Sequence, residues 1–137
     1  MAKPVAVITE GTNMTGASPS SEADVGKNIE AVIAQTPGLV LADFAKADVD
    51  RLNTFYQAAK KNCRALAITL RQTYLLSKLA DDPHLKLPHL RDENILIFQK
   101  TIKRYYAWEK ETLMLGNVVD AAKAAKLQSK IVLICSF

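Results

Sequence analysis

The feature that most constrains this chain is an alternation repeated along it: a short apolar run, a polar turn, then apolar residues at helical spacing. Val5-Ala6-Val7-Ile8-Thr9, Leu39-Val40-Leu41-Ala42 and Ala65-Leu66-Ala67-Ile68-Thr69 are such runs. Val, Ile and Thr crowd a helix at χ1 but pack well on a pleated surface, so each run reads as a strand. The runs barely alternate with polar residues, which suits strands covered on both faces. Successive strand–helix units imply parallel strands joined by right-handed crossovers. The expected fold is α/β: a three-layer Rossmann-like sandwich with a mostly parallel sheet of about five strands and helices on both faces.

The segments between the runs carry helix start and stop signals. A first helix begins near Ser20 or Ser21, where Ser21 and Asp24 resemble a capping box, and Val25, Ile29, Val32 and Ile33 form one stripe. Gly26 weakens that helix by roughly 1 kcal/mol relative to Ala, which points to close packing there. Pro37-Gly38 ends it. Asp48 caps a second helix with Val49, Leu52, Tyr56 and Ala59, closed by Lys60-Lys61-Asn62. Leu70-Arg71 lead into a third with Leu75, Leu76 and Leu79. The segment from Asp81 to His89, with Pro83 and Pro88, is expected to be a surface loop. Asn94 to Phe98 reads as a fourth strand and Thr101 to about Leu115 as a helix ended by Gly116-Asn117. Val118 to Lys126 reads as a short helix and Ile131 to Phe137 as a last strand. The whole, residues 1–137, has the size of one domain. Because the sequence stops on a strand with no loop after it, a piece of a longer protein is expected.

Composition narrows the function classes. The chain is 49% hydrophobic and 23% charged, which is globular rather than disordered. A net charge of +4 permits contact with a polyanion without demanding it. No apolar run approaches the ~20 residues that span a bilayer, and no signal-peptide core is present, so no membrane partner is expected. Two cysteines make no disulfide framework and point to a reducing cytoplasm. Cys63 should lie at the amino edge of the sheet and Cys135 at the carboxyl edge, roughly 15 Å apart, too far to pair. Each is expected to behave as a small apolar core residue.

A hydrolytic dinuclear metal site needs about half a dozen ligands. This chain has two histidines, His84 and His89, both in the proline loop, and no metal ligand is assigned. What the sequence does provide is a row of polar residues at strand carboxyl ends, where parallel sheets place ligands. Glu10-Gly11-Thr12-Asn13, Asp43-Phe44-Ala45-Lys46, Thr69-Leu70-Arg71 and Cys135-Ser136 fall on that rim, with helices starting near Ser21, Asp48 and Arg71. Helix N-termini aimed at such a rim suit a phosphate.

Glu10-Gly11-Thr12, with Ser21-Glu22 opening the next helix, resembles the β-CASP domain of metallo-β-lactamase-fold RNA nucleases, the group of ribonuclease J and the pre-mRNA cleavage and polyadenylation endonuclease. Asp43-Phe44-Ala45-Lys46, Thr69-Leu70-Arg71-Gln72, Tyr105 to Glu109 and the final Ile131 to Phe137 are also similar, so the resemblance covers most of the chain. It implies that Glu10 is the motif A acid, catalytic only in the intact enzyme. The same resemblance, with the rim, makes Thr12, Asn13, Ser21, Lys46, Arg71 and Ser136 candidates for binding RNA or phosphate. The family's metal motifs and its later histidine motif are absent from the sequence. The resemblance therefore implies an RNA-recognition cap of a zinc-dependent ribonuclease. Its two zinc ions would sit in a metallo-β-lactamase core elsewhere in the parent chain, with no cofactor in this segment. A free-standing α/β module for nucleotide or phosphate, without hydrolytic activity, is the alternative.

Overall fold

The computed structural model describes residues 21–135. The expected strand at residues 5–9, with Glu10, Thr12 and Asn13, lies outside the described residues, as does Ser136. The order of elements is α1 (Glu22–Gln35), β1 (Val40–Ala42), α2 (Val49–Lys61), β2 (Ala65–Ile68), α3 (Leu70–Leu79), β3 (Ile95–Gln99), α4 (Ala107–Leu113), β4 (Asn117–Asp120), α5 (Ala121–Lys126) and β5 (Ile131–Ile134). The five strands form one sheet in the order β1-β5-β2-β3-β4. Every pairing is parallel. The α/β fold with a parallel sheet is thus as the sequence predicts.

The strands' side chains divide by the two-residue period of extended chain. Leu66 and Ile68 of β2 and Val132 and Ile134 of β5 join one core, with Ile33 from α1, Leu52, Tyr56 and Ala59 from α2, and Leu76 from α3. Ala67, Ile131 and Leu133 face the other way and pack against Ala124 and Leu127 at α5. Helices therefore cover both faces. The central residues Leu66, Ala67, Ile68, Ile95 and Ile97 have no exposed surface. Truncating a leucine at such a site costs about 2–5 kcal/mol.

Long-range polar contacts fix how the helices lie. Gly26 sits where α1 packs on α2; a Cβ there would meet Thr54 Cγ2 at 3.4 Å, an ordinary contact, so the helices touch here without requiring glycine. Arg51 on α2 reaches Glu22 on α1 through Nε at 2.9 Å and Nη2 at 3.1 Å. That guanidinium holds the Glu22 carboxyl below its ordinary pKa. Arg64 is buried and donates to the carbonyls of Gly38, at 2.7 Å, and Thr36. The last turn of α1 has no cation of its own. Arg64, beside the carbonyl end of that helix, supplies one from outside.

The second half departs from the sequence expectation in two places. Residues 101–106 are not helical, and α4 begins only at Ala107. Lys103 and Arg104 would sit unfavourably in the first turn of a helix, against its positive end. Instead the Tyr105 hydroxyl donates to the Lys100 carbonyl, closing a loop, and Glu109 accepts the Tyr106 N–H at 2.8 Å. The expected helix from Val118 is also shorter. Asn117–Asp120 form β4, and α5 starts after it, capped by Asp120 accepting the Lys123 N–H at 2.7 Å. Adjacent Val118 and Val119 favour the strand. Gly116-Asn117 does not end the helix, since α4 stops at Leu113 with Met114 as its C-cap; Gly116 instead serves a close approach, because a Cβ there would lie 2.5 Å from the Leu90 carbonyl oxygen.

Cys63 corrects a third expectation, since it is exposed rather than in the core. Its φ of 53° is left-handed. The Cys63 N–H donates to the Lys60 carbonyl at 3.1 Å and the Arg64 N–H to the Ala59 carbonyl at 2.9 Å. Those two bonds are a Schellman closure of α2, whose left-handed position glycine usually fills. The side chain points out of the turn, which is why it escapes the core. Cys135 is half-buried, and burial, then the Asp43 charge, raises its thiol pKa.

Two outcomes follow. Ellman's reagent should modify Cys63 rapidly and Cys135 slowly until the protein unfolds, and Cys63→Gly should raise stability by a few tenths to about 1 kcal/mol in urea melts. Asp92 makes the second. It accepts from Tyr56 Oη at 2.8 Å and from the Asn94 N–H at 2.8 Å, holding the chain before β3 against α2. The Asn94 N–H first, then Tyr56, lower its pKa to about 2. A carboxylate with a depressed folded pKa contributes stability above its unfolded value and loses it on acidification. Asp92→Asn should therefore cost on the order of 1–2 kcal/mol at neutral pH, with the difference fading as pH falls from about 4 toward 2.

Candidate functional site

The carboxyl edge of a parallel sheet is where successive strands release their chains into loops. Here β2 runs into Thr69-Leu70-Arg71, β3 into Lys100 and β1 into the turn carrying Lys46. These three exits line one cleft of about 310 Å³, with Thr69, Phe98 and Trp108 among its walls.

The β2 exit is the most firmly held. Thr69 is the N-cap of α3 and its Oγ1 accepts the Gln72 N–H at 3.3 Å. Gln72 Oε1 in return accepts the Thr69 N–H at 3.1 Å and the Thr69 hydroxyl at 3.0 Å. Both residues are buried, Gln72 completely. This capping box works where water cannot substitute, so each bond is worth more than on a surface. Gln72 Nε2 has no hydrogen-bond partner among the described residues. The amide orientation is nonetheless fixed, because the Thr69 N–H requires the oxygen. With the junction locked, Arg71 stands in the first turn of α3, which carries no acid to oppose its positive end.

The other walls are held by aromatic packing. Phe44 stacks on Phe55 of α2 with ring centroids 5.2 Å apart, which anchors the turn leading to Lys46. Trp108 meets Tyr74 of α3 edge-on at 5.5 Å, which seats α4 beside α3. Three cations and one carboxylate, Glu109, thus line a partly apolar cleft. One oxygen of that carboxylate is engaged by the Tyr106 N–H. The arrangement suits an anion carrying a flat or apolar portion.

Of the predicted site residues, Lys46 and Arg71 are brought together here. Ser21 is not among the cleft's lining residues. Its hydroxyl donates to Asp24 Oδ2 at 2.7 Å and accepts the Asp24 N–H at 3.2 Å, the expected capping box. Its neighbour Glu22 is occupied by Arg51 and by the Thr54 hydroxyl at 2.8 Å. Glu10, Thr12, Asn13 and Ser136 lie outside the described residues. The sequence reading missed Lys100 and Trp108. Placing the end of the fourth strand one residue later would have put Lys100 next on the rim.

Among the described residues no group of three His, Cys, Asp or Glu side chains is placed to hold a metal ion. His84 and His89 are exposed in the proline loop, and His89 Nδ1 accepts the Arg91 N–H at 3.2 Å. These residues do not fit a dinuclear zinc centre. No described helix is long and apolar enough to cross a membrane. Neither family models nor curated proteins gave any match to the chain.

Thr69→Val keeps the shape of the side chain but removes the hydroxyl. It should cost about 1–2 kcal/mol in urea unfolding. Combined with Gln72→Ala, the two effects should fall short of their sum, because both break one reciprocal pair.

Proposed function

We propose that this chain recognises RNA for a metal-dependent ribonuclease, gripping the phosphate backbone at the carboxyl edge of its sheet. The observation that carries the reading is the meeting of Lys46, Arg71 and Lys100 in one cleft at the start of α3. Each cation comes from a different strand exit, so their convergence is a property of the fold rather than of a local charge run. The resemblance of Glu10-Gly11-Thr12 and Thr69-Leu70-Arg71-Gln72 to β-CASP nucleases supplies the substrate class. On that reading hydrolysis belongs to a metallo-β-lactamase-type core with two zinc ions, Glu10 serves the intact site, and this segment positions the RNA.

Cations on such a rim contact phosphate and set register; they carry no base code. Arg71, with its planar fork of donors, is the better phosphate ligand, and Lys46 and Lys100 add point charges. A second reading, a nucleotide-binding module without hydrolysis, is favoured by the cleft's volume, about 310 Å³, and by its Trp108 wall. That volume is at the lower end for a small-molecule pocket.

Competition separates the two readings. If RNA is the ligand, oligonucleotides should displace a labelled RNA far better than mononucleotides do. Arg71→Ala should weaken binding similarly across sequences and reduce the slope of log affinity against log salt by about 0.7, the loss of one single-strand phosphate contact. An unchanged slope would remove Arg71 from the site, and equal competition by mononucleotides would favour the module.

A further inference from the structure

The loop that replaces the expected helix start leads from the cleft to a second feature. Between residues 100 and 110 the chain carries Lys100, Lys103, Arg104 and Lys110 against one acid, Glu109. Tyr106 is 73% exposed in this segment. It caps α4 in extended conformation, with its N–H tied to Glu109. Beside it Arg104, Tyr105, Ala107 and Lys110 line a concavity. The Tyr105 hydroxyl on the Lys100 carbonyl links this concavity to the cleft, since Lys100 lines the one and Tyr105 the other. Ile102 and Trp108, from the same segment, face the cleft.

A single exposed tyrosine needs no explanation. A tyrosine face among unbalanced cations, joined by a pinned loop to a cationic cleft with a tryptophan in its wall, matches one kind of partner. From these contacts we infer that residues 100–110 form a stacking platform that carries a single-stranded polynucleotide out of the cleft. Its phosphates lie on Lys103, Arg104 and Lys110, and an unpaired base lies on Tyr106. This rests on reading the cleft as a phosphate site, and adds that the substrate is single-stranded and held without sequence preference. A duplex keeps its base faces inside and has none to offer. An acidic peptide would answer the cations and leave the ring unused. Stacking is tolerant of sequence because every base has a π-face.

The test uses the full chain and fluorescein-labelled oligouridylate, with duplex RNA of equal length and polyglutamate as competitors. Oligouridylate should bind more tightly than duplex. Tyr106→Ala should weaken it about five- to a hundred-fold with the salt slope unchanged, because a stacking contact releases no counterion. Tyr106→Phe should restore binding. Lys110→Ala should instead flatten the slope. Because Tyr106 is exposed, an unchanged unfolding midpoint will show that the variant is folded. If Arg71→Ala weakens binding and Tyr106→Ala does not, the platform is refuted and the phosphate cleft stands. If Tyr106→Ala weakens binding and Arg71→Ala does not, the cleft reading fails instead. Equal binding of duplex, or displacement by polyglutamate as effective as by RNA, would overturn the platform, and absence of any RNA binding would overturn both.

Discussion

The junction between β2 and α3 is the constraint on which both the fold and the site depend. β2 is the middle strand, paired with β5 on one side and β3 on the other, and Leu66 to Ile68 are fully buried. A chain leaving such a strand has unpaired backbone groups in a dry place, where each costs about 1–3 kcal/mol if left unsatisfied. Thr69 and Gln72 meet that need reciprocally, and Thr73 joins them, its hydroxyl donating to the Thr69 carbonyl at 3.0 Å. The consequence is geometric as well as energetic. The first turn of α3 cannot swing, so Arg71 is delivered to the same position relative to Phe98 and Lys100 on the neighbouring strand exit.

At the opposite edge of the sheet the same problem is solved with charge. Arg64, just before β2, is buried and donates to two carbonyls of the turn between α1 and β1. An arginine can do this because its donors lie in a fixed plane and its charge is complementary to the carbonyl end of α1. The left-handed Cys63 turns the chain so that Arg64 points back under that helix. One turn thus closes α2, orients Arg64 and starts β2. The strain of a non-glycine residue at a positive φ is offset by the contacts that follow directly from it.

How much of this was legible in the sequence differs between the halves of the chain. From Ser21 to Leu79 the strands, stripes and two of the caps were readable because local propensity and tertiary demand agree: Ser21 and Asp48 cap the helices they precede, whereas Thr69, expected as the last strand residue, is the N-cap of α3. Beyond His89 the strands at β3 and β5 are again as read, but between them propensity and tertiary demand diverge. Tyr105, Trp108 and Thr112 at 3–4 spacing suggest a helix from Thr101, but Lys103 and Arg104 oppose its start, and the Tyr105–Lys100 closure takes its place. Val118 and Val119 were hidden beside an Ala-rich run that is helical only from Ala121. The rim cations were half legible. Lys46 and Arg71 followed from the carboxyl-edge rule, whereas Lys100 depended on a strand boundary and Trp108 on how α4 packs against α3. Such packing has no one-dimensional signature.

The placement of charge separates the structural cations from those at the rim. Arg51 pairs with Glu22, Lys61 with Glu30 at 2.8 Å and Lys60 with Asp92 at 3.5 Å, all on the α2 side of the molecule. At the carboxyl edge Lys46 and Arg71 have no ion pair among the described residues, though both line a cleft with Lys100. Three cations set against the single carboxylate of Glu109 leave a net repulsion, and water lowers that cost without removing it. An exposed pair of cations on a helix could be dispersed by small rotamer changes. Here the capping box at Thr69 and the Phe44–Phe55 stack hold the backbones that carry them, so the gathering is built into the framework. The framework thus fixes Lys46 and Arg71 in one cleft at the carboxyl edge without an ion pair to either among the described residues, which leaves a positive field at this edge.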